Sequence, residues 1–201
     1  MPEAGWGKER KAELHLHLEG SVDAETMQLL EPGVSLEEIR SRYQFEDFQG
    51  FLGCFKSIVE RLRGPEDYAL ITRRLIDRLR ADNVQYAEIT LSAGVVLWKN
   101  QAFAPIYNAV YQASLGSGVE VRWNLDGIRH FGAAHVRQVA ELAAERVNDG
   151  VVSFGIGGDE ERGPAEWFTD IYKFAAEKGL RLTAHAGETA GPGAVWNALR
   201  L

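Results

Sequence analysis

Two short segments carry most of the side chains suited to chemistry. The first, Glu13-Leu14-His15-Leu16-His17-Leu18-Glu19-Gly20, alternates ionisable and apolar residues with a period of two. On an extended strand successive side chains point to opposite faces, so Glu13, His15, His17 and Glu19 share one face and Leu14, Leu16 and Leu18 the other. Four ionisable groups on one face of a buried parallel strand need water, a partner or a cation to offset their desolvation. Two imidazoles at i and i+2 can converge on one ion, and neutral histidine is a common zinc ligand. An exposed edge strand with a solvated polar face accounts for an isolated His-x-His as well.

The second segment, Leu180-Arg181-Leu182-Thr183-Ala184-His185-Ala186-Gly187-Glu188, ends an apolar run on a histidine and places a glutamate in the turn beyond it. In parallel α/β sheets, and in barrels above all, the C-terminal ends of strands are where sites are built. Alone, His185 reads as a satisfied buried histidine. With His15 and His17 on strands of the same sheet, three imidazoles meet at one mouth, and the metal reading prevails.

The elements that must position these residues alternate. Strands are expected at residues 12–18, 84–92, 119–126, 151–156 and 180–186, and helices at 36–43, 65–81, 104–115, 133–148, 164–178 and 193–200. Pro65 suits a first helical position, and Tyr68, Ile71, Leu75 and Leu79 recur at helical spacing behind it. Ser35 with Glu38 matches a capping box. Asp149-Gly150 and Lys178-Gly179 read as helix stops. Strands alternating with crossover helices imply parallel pairing and an α/β class. The long gap between the first two strands must hold inserted helices that could roof a site. Without repeats, low-complexity segments or linkers, one domain over 1–201 is the expectation.

Composition narrows the functions. With 201 residues, a net charge of -7 and 45% hydrophobic residues, the sequence is that of an ordinary globular protein. An acidic chain with a pI near 5.3 repels phosphate backbones and anionic membranes, so nucleic acid and membrane are excluded as expected partners. The one cysteine, Cys54, sits in an apolar run and points to a reducing compartment. The charged opening residues lack the apolar core of a leader, and no stretch approaches the ~18 apolar residues of a membrane span. A cytoplasmic location is expected.

Three motifs together resemble the adenosine deaminase family: HLHLEGS at residues 15–21, GGDE at 157–160 and HAGE at 185–188. The similarity runs from about Lys11 to the last residue. It implies an α/β fold, a TIM-type (β/α) barrel, with His15, His17 and His185 as ligands of one zinc ion per chain. By the same resemblance Glu188 is the acid that protonates a ring nitrogen beside the amine-bearing carbon, while zinc lowers the pKa of a bound water to about 7. His17, Glu19 and Gly158 would meet the substrate, a small-molecule purine nucleoside of the adenosine type. Gly158 reads equally as a turn glycine. Phe48, Phe51, Leu52 and Phe55 match the family's apolar helix above the pocket, or are plain helix core. His130 and His135, at the start of a helical stretch, read as solvated, and Asp159 and Glu160 carry no direct role.

Glu19 departs from the aspartate of many adenosine deaminases. One extra methylene moves the carboxylate by about a bond length, enough to change what fits. Relatives with glutamate act on adenine or on aminodeoxyfutalosine. A complete (β/α)₈ barrel takes ~250 residues, so about five of eight parallel strands are expected here, as in a truncated N-terminal portion. The family's later histidine and aspartates cannot be located, and little or no deaminase activity is expected from this chain alone. A short non-catalytic metal-binding or interaction protein, and an amidohydrolase acting on a non-purine ring, remain the alternatives. Cysteine-based zinc deaminases of cytosine need a P-C-x-x-C pair that is lacking here.

Overall fold

A computed structural model describes residues 9–201, apart from the side chains of Phe48 and Gln49. Among the described residues, strands β1 (Lys11–His17), β2 (Val84–Leu91), β3 (Glu120–Ile128), β4 (Val151–Gly157) and β5 (Arg181–Ala184) form one sheet in sequential order. The helices are α1 (Ala24–Leu30), α2 (Leu36–Arg42), α3 (Phe48–Arg61), α4 (Pro65–Ala81), α5 (Ala93–Trp98), α6 (Phe103–Ser114), α7 (Ala133–Glu145), α8 (Thr169–Glu177) and α9 (Gly191–Ala198). The described residues divide into two compact units, residues 9–88 with 102–121 and residues 89–101 with 122–201.

In the first unit, α4 packs on α6. Tyr68, Ile71, Leu75 and Leu79 are buried, and so are Phe103, Ile106, Tyr107 and Val110 on α6, each set following the helical repeat that puts one stripe against a neighbour. Three helix starts are capped by side chains, which satisfy backbone N–H groups lacking an intrahelical acceptor. Asp23 accepts from Thr26 N at 2.7 Å, Ser35 from Glu38 N at 3.2 Å and Asp47 from Gly50 N at 2.7 Å. The capping box at Ser35 is half formed. Glu38 turns its carboxylate to Arg42 at 2.9 Å, an i,i+4 ion pair that competes with the reach back to the cap. Arg78 of α4 pairs with Asp23 and donates to the carbonyl of Ser21, tying the chain after β1 to this helix. Cys54 is a buried free thiol whose pKa burial raises.

In the second unit β3 and β4 pair in parallel from Trp123↔Val151 to Ile128↔Gly157, and β4 and β5 from Ser153↔Arg181 to Ile156↔Ala184. β4 is buried on both faces except at Val152, as expected of a central parallel strand. α7 packs on β4 and α8 on β5. Tyr172 of α8 donates its hydroxyl to the carbonyl of Thr183 at 2.5 Å, fixing helix to strand. Residues 165–168, expected to open one long helix, form a separate 3-10 turn before α8. α5, which the sequence did not signal, follows directly on β2.

Candidate metal and deamination site

The first unit supplies the His-x-His pair. His15 Nε2 lies 3.2 Å from His17 Nε2, with ring centroids 5.1 Å apart. Two nitrogens bound to one tetrahedral zinc at roughly 2.0–2.1 Å each would stand about 3.3 Å apart, so the pair fits a shared ion. The backbone beyond is fixed by Ser21, whose hydroxyl donates to the carbonyl of His17 at 2.7 Å. This role of the serine in HLHLEGS has no signal in residue type alone.

β1 ends at His17 rather than continuing with its alternation to Glu19. Leu18 adopts αR geometry and Glu19–Ser21 coil into a 3-10 turn, closed by Ser21 N donating to Leu18 O at 3.3 Å and Val22 N to Glu19 O at 3.4 Å. Glu19 therefore leaves the strand face it was expected to share with His15 and His17. It is fully buried, and its charge reinforces the burial that already raises the pKa of Tyr68. The apolar face is not uniformly covered either: Leu14 is 65% exposed whereas Leu18 is buried. Phe55 of α3 lies beside Gly20, 3.8 Å from where a β-carbon would stand, while Phe51 and Leu52 are each 40% exposed. The expectation for Phe48 falls on a side chain outside the described residues.

The second unit carries His185 and Glu188. His185 follows β5, its N–H donating to Ile156 O at 3.0 Å, so the strand pairing carries one residue beyond β5 and holds the ring at the strand end. Its Nδ1 lies 2.9 Å from Glu188 Oε1. A carboxylate on Nδ1 selects the tautomer with the proton there.

The turn 186–189 is shaped by neighbours that sequence reasoning passed over. Glu160, buried in the turn after β4, accepts from Gly187 N at 2.9 Å and from Glu188 N at 2.7 Å. Burial pushes its pKa up, but the backbone N–H groups of Gly187, Glu188 and Thr189 and the charge of Arg129 outweigh it and hold the carboxyl below the usual range. Arg129, equally buried, donates to the carbonyl of His185. Gly158 stands where the sequence placed it, just after β4, with φ +92°. His130 is half-buried rather than solvated, and its Nδ1 accepts from Asp159 N at 3.1 Å. His135 is half-buried too, between α5 and the start of α7, where burial lowers its pKa.

The sequence matches the family model described as Adenosine deaminase over residues 10–201. The chain belongs to the adenosine deaminase family. Curated relatives include an adenine deaminase of Rhizobium leguminosarum bv. trifolii, 34% identical over 94% of this chain and 62% of its own length. An aminodeoxyfutalosine deaminase of Streptomyces avermitilis is 34% identical over 94% of the chain and 56% of its own. Among solved structures, an adenine deaminase from Arthrobacter aurescens superposes with a TM-score of 0.80 at 29% identity, covering 94% of the chain and 61% of the neighbour. An amidohydrolase from Burkhoderia ambifaria with bound Zn superposes at 0.84 and 25% identity, covering 98% and 57%. This deaminase-family chain thus spans about 60% of the proteins it resembles, and its fold is α/β, with five parallel strands of the (β/α) barrel type.

Proposed function

We propose that this chain carries the metal and proton-transfer half of a zinc-dependent hydrolase that removes the amino group of an aminopurine. Water adds its oxygen to the amine-bearing carbon, the C–N bond breaks, ammonia leaves and an oxo group remains. His15, His17 and His185 hold one zinc ion through a ring nitrogen each. When bound, zinc lowers the pKa of a water to about 7 and so provides the nucleophile at neutral pH. Glu188 carries the proton to the ring nitrogen beside the reacting carbon, making that carbon electrophilic. Gly158 offers its backbone N–H to the purine, and Glu19 and His17 meet the remainder of the substrate. The observation that carries this reading is the Glu188 carboxylate held at 2.9 Å from His185 Nδ1, an acid seated beside a proposed ligand.

The first reading of the substrate is an aminopurine nucleoside of the adenosine type, and relatives named adenine deaminase support the free base beside it. The relative named aminodeoxyfutalosine deaminase, equally identical, supports an adenosine derivative as the second. The acidic composition and single buried cysteine favour the cytoplasm, and no helix among the described residues is long and apolar enough to cross a membrane.

Zinc analysis of the purified chain tests the centre. About one zinc per wild-type chain, lost in His15→Ala and in His185→Ala, is the expected result, and equal zinc in all three proteins removes the reading. Ammonia release from adenine, adenosine and aminodeoxyfutalosine ranks the substrates. Release by Glu188→Gln at the wild-type rate would remove Glu188 as the acid.

A further inference from the structure

The turn that presents Glu188 is gripped from both sides by buried ions of opposite sign. Arg129, 1% exposed, donates from its guanidinium to the carbonyl of His185 and, at 3.5 Å, to that of Ile156. Glu160, 3% exposed, takes the N–H groups of Gly187 and Glu188 on its two oxygens, Oε2 and Oε1. A cation thus holds a backbone acceptor before Ala186 and an anion holds two backbone donors after it. Buried charges persist only where such groups compensate them, and charge-assisted bonds are about twice as strong as neutral ones.

The turn is built to receive a carboxylate. Gly187 has φ +83°, a left-handed conformation that lets successive N–H groups converge in an anion-binding concavity. A β-carbon at Gly187 would stand 2.7 Å from Val195 Cγ2, so a side chain there would displace α9 as well as strain the turn. On the other side Gly163 lets the chain lie against the Arg129 backbone, 2.8 Å from Arg129 Cβ to the place a β-carbon would occupy. The segment 158–163 is thereby held against Arg129, which in turn reaches the end of β5.

We propose that Glu160 is a positioning residue: with Arg129 it fixes the backbone of residues 185–188 so that the Glu188 carboxylate rests on His185 Nδ1. Glu160 touches neither substrate nor metal in this account. It sets the direction of two side chains, the acid and one ligand, by holding the main chain that bears them. The proposal deepens the deaminase reading, since the value of that geometry rests on His185 and Glu188 having the roles given above.

The test compares wild-type chain with Glu160→Ala and Glu160→Gln. Hydrogen exchange at the Gly187 and Glu188 amides and zinc affinity by chelator competition are both measured. Glu160→Ala is expected to speed exchange at these two amides at least about tenfold, while Phe154 and Ile156 in β4 keep their protection. Zinc affinity is expected to fall about 10–100-fold, the range seen when groups that orient a ligand are lost. Glu160→Gln keeps one acceptor oxygen and the shape of the side chain, so it should recover part of both effects. Unchanged exchange at Gly187 and Glu188 overturns the proposal. So does a loss of protection spread evenly through β4, or a Glu160→Gln protein indistinguishable from Glu160→Ala, because either marks a role in general stability. If wild-type chain binds no zinc, the metal reading fails, while the exchange comparison still decides whether Glu160 holds the turn.

Discussion

His130 Nδ1 accepts a hydrogen bond of 3.1 Å from the backbone N–H of Asp159, joining the turn after β3 to the turn after β4. The nitrogen must be unprotonated to accept. Burial lowers the His130 pKa, reinforced by the nearby charge of Arg162 and opposed by Asp159. The folded state therefore favours neutral imidazole, and the unfolded chain takes up its proton first, near pH 6.5. Stability contributed here is present above that value and declines as pH falls from about 6.5 to the folded pKa. In an NMR titration the His130 ring and the Asp159 amide should move together, with a midpoint below 6.5. A midpoint at or above 6.5 would contradict the hydrogen bond.

Gly158 is tied to the same histidine. It has φ +92°, and a β-carbon there would stand 2.8 Å from His130 Nδ1. Gly158→Ala should cost about 1–3 kcal/mol from backbone strain, plus whatever displacement of His130 requires. In a urea-unfolding double-mutant cycle with His130→Ala, the two changes should be less than additive, because removing the ring relieves the clash but not the strain. Strict additivity would place the ring elsewhere.

Zinc binding should appear as stability. An ion that binds only the folded state stabilises it by about 2.7 kcal/mol at a hundred times its Kd. The wild-type melting temperature should rise with added zinc and fall back with a chelator, whereas His17→Ala should stay flat. A zinc-dependent rise of equal size in His17→Ala would assign the effect to another site.

Asp23 caps α1 through Thr26 N and pairs with Arg78. Partial burial acts to raise its pKa, but the Thr26 hydrogen bonds and the Arg78 charge lower it below the ordinary 3.8. Its ionised form thus stabilises the fold above about pH 3.8, and this contribution is lost as pH falls through the lower folded value. Asp23→Ala should cost about 1 kcal/mol at pH 7, the usual value of a lost cap, with the difference from wild type shrinking in strong acid. A constant difference from pH 7 to pH 2 would count against the ionised cap.

Much of this was legible in residue order. The alternation over residues 13–19 marked β1 and the helical spacing of Tyr68, Ile71, Leu75 and Leu79 marked α4, because burial of one face repeats at the spacing of the backbone itself. His15, His17 and His185 stood out because ionisable side chains on the strands of one sheet are costly without a partner, and Glu188 stood out through the HAGE motif. What residue order could not reveal was where β1 stops. A 3-10 turn at Glu19–Ser21 draws Glu19 off the strand face into a buried position, through hydrogen bonds that depend on local dihedral angles rather than on side-chain periodicity. Nor did it mark Glu160, Arg129 and His130 as supports, since each acts on backbone groups 27–56 residues distant in the chain. Any buried charge needs a partner, but which backbone turn supplies it is decided only when the strands stand side by side.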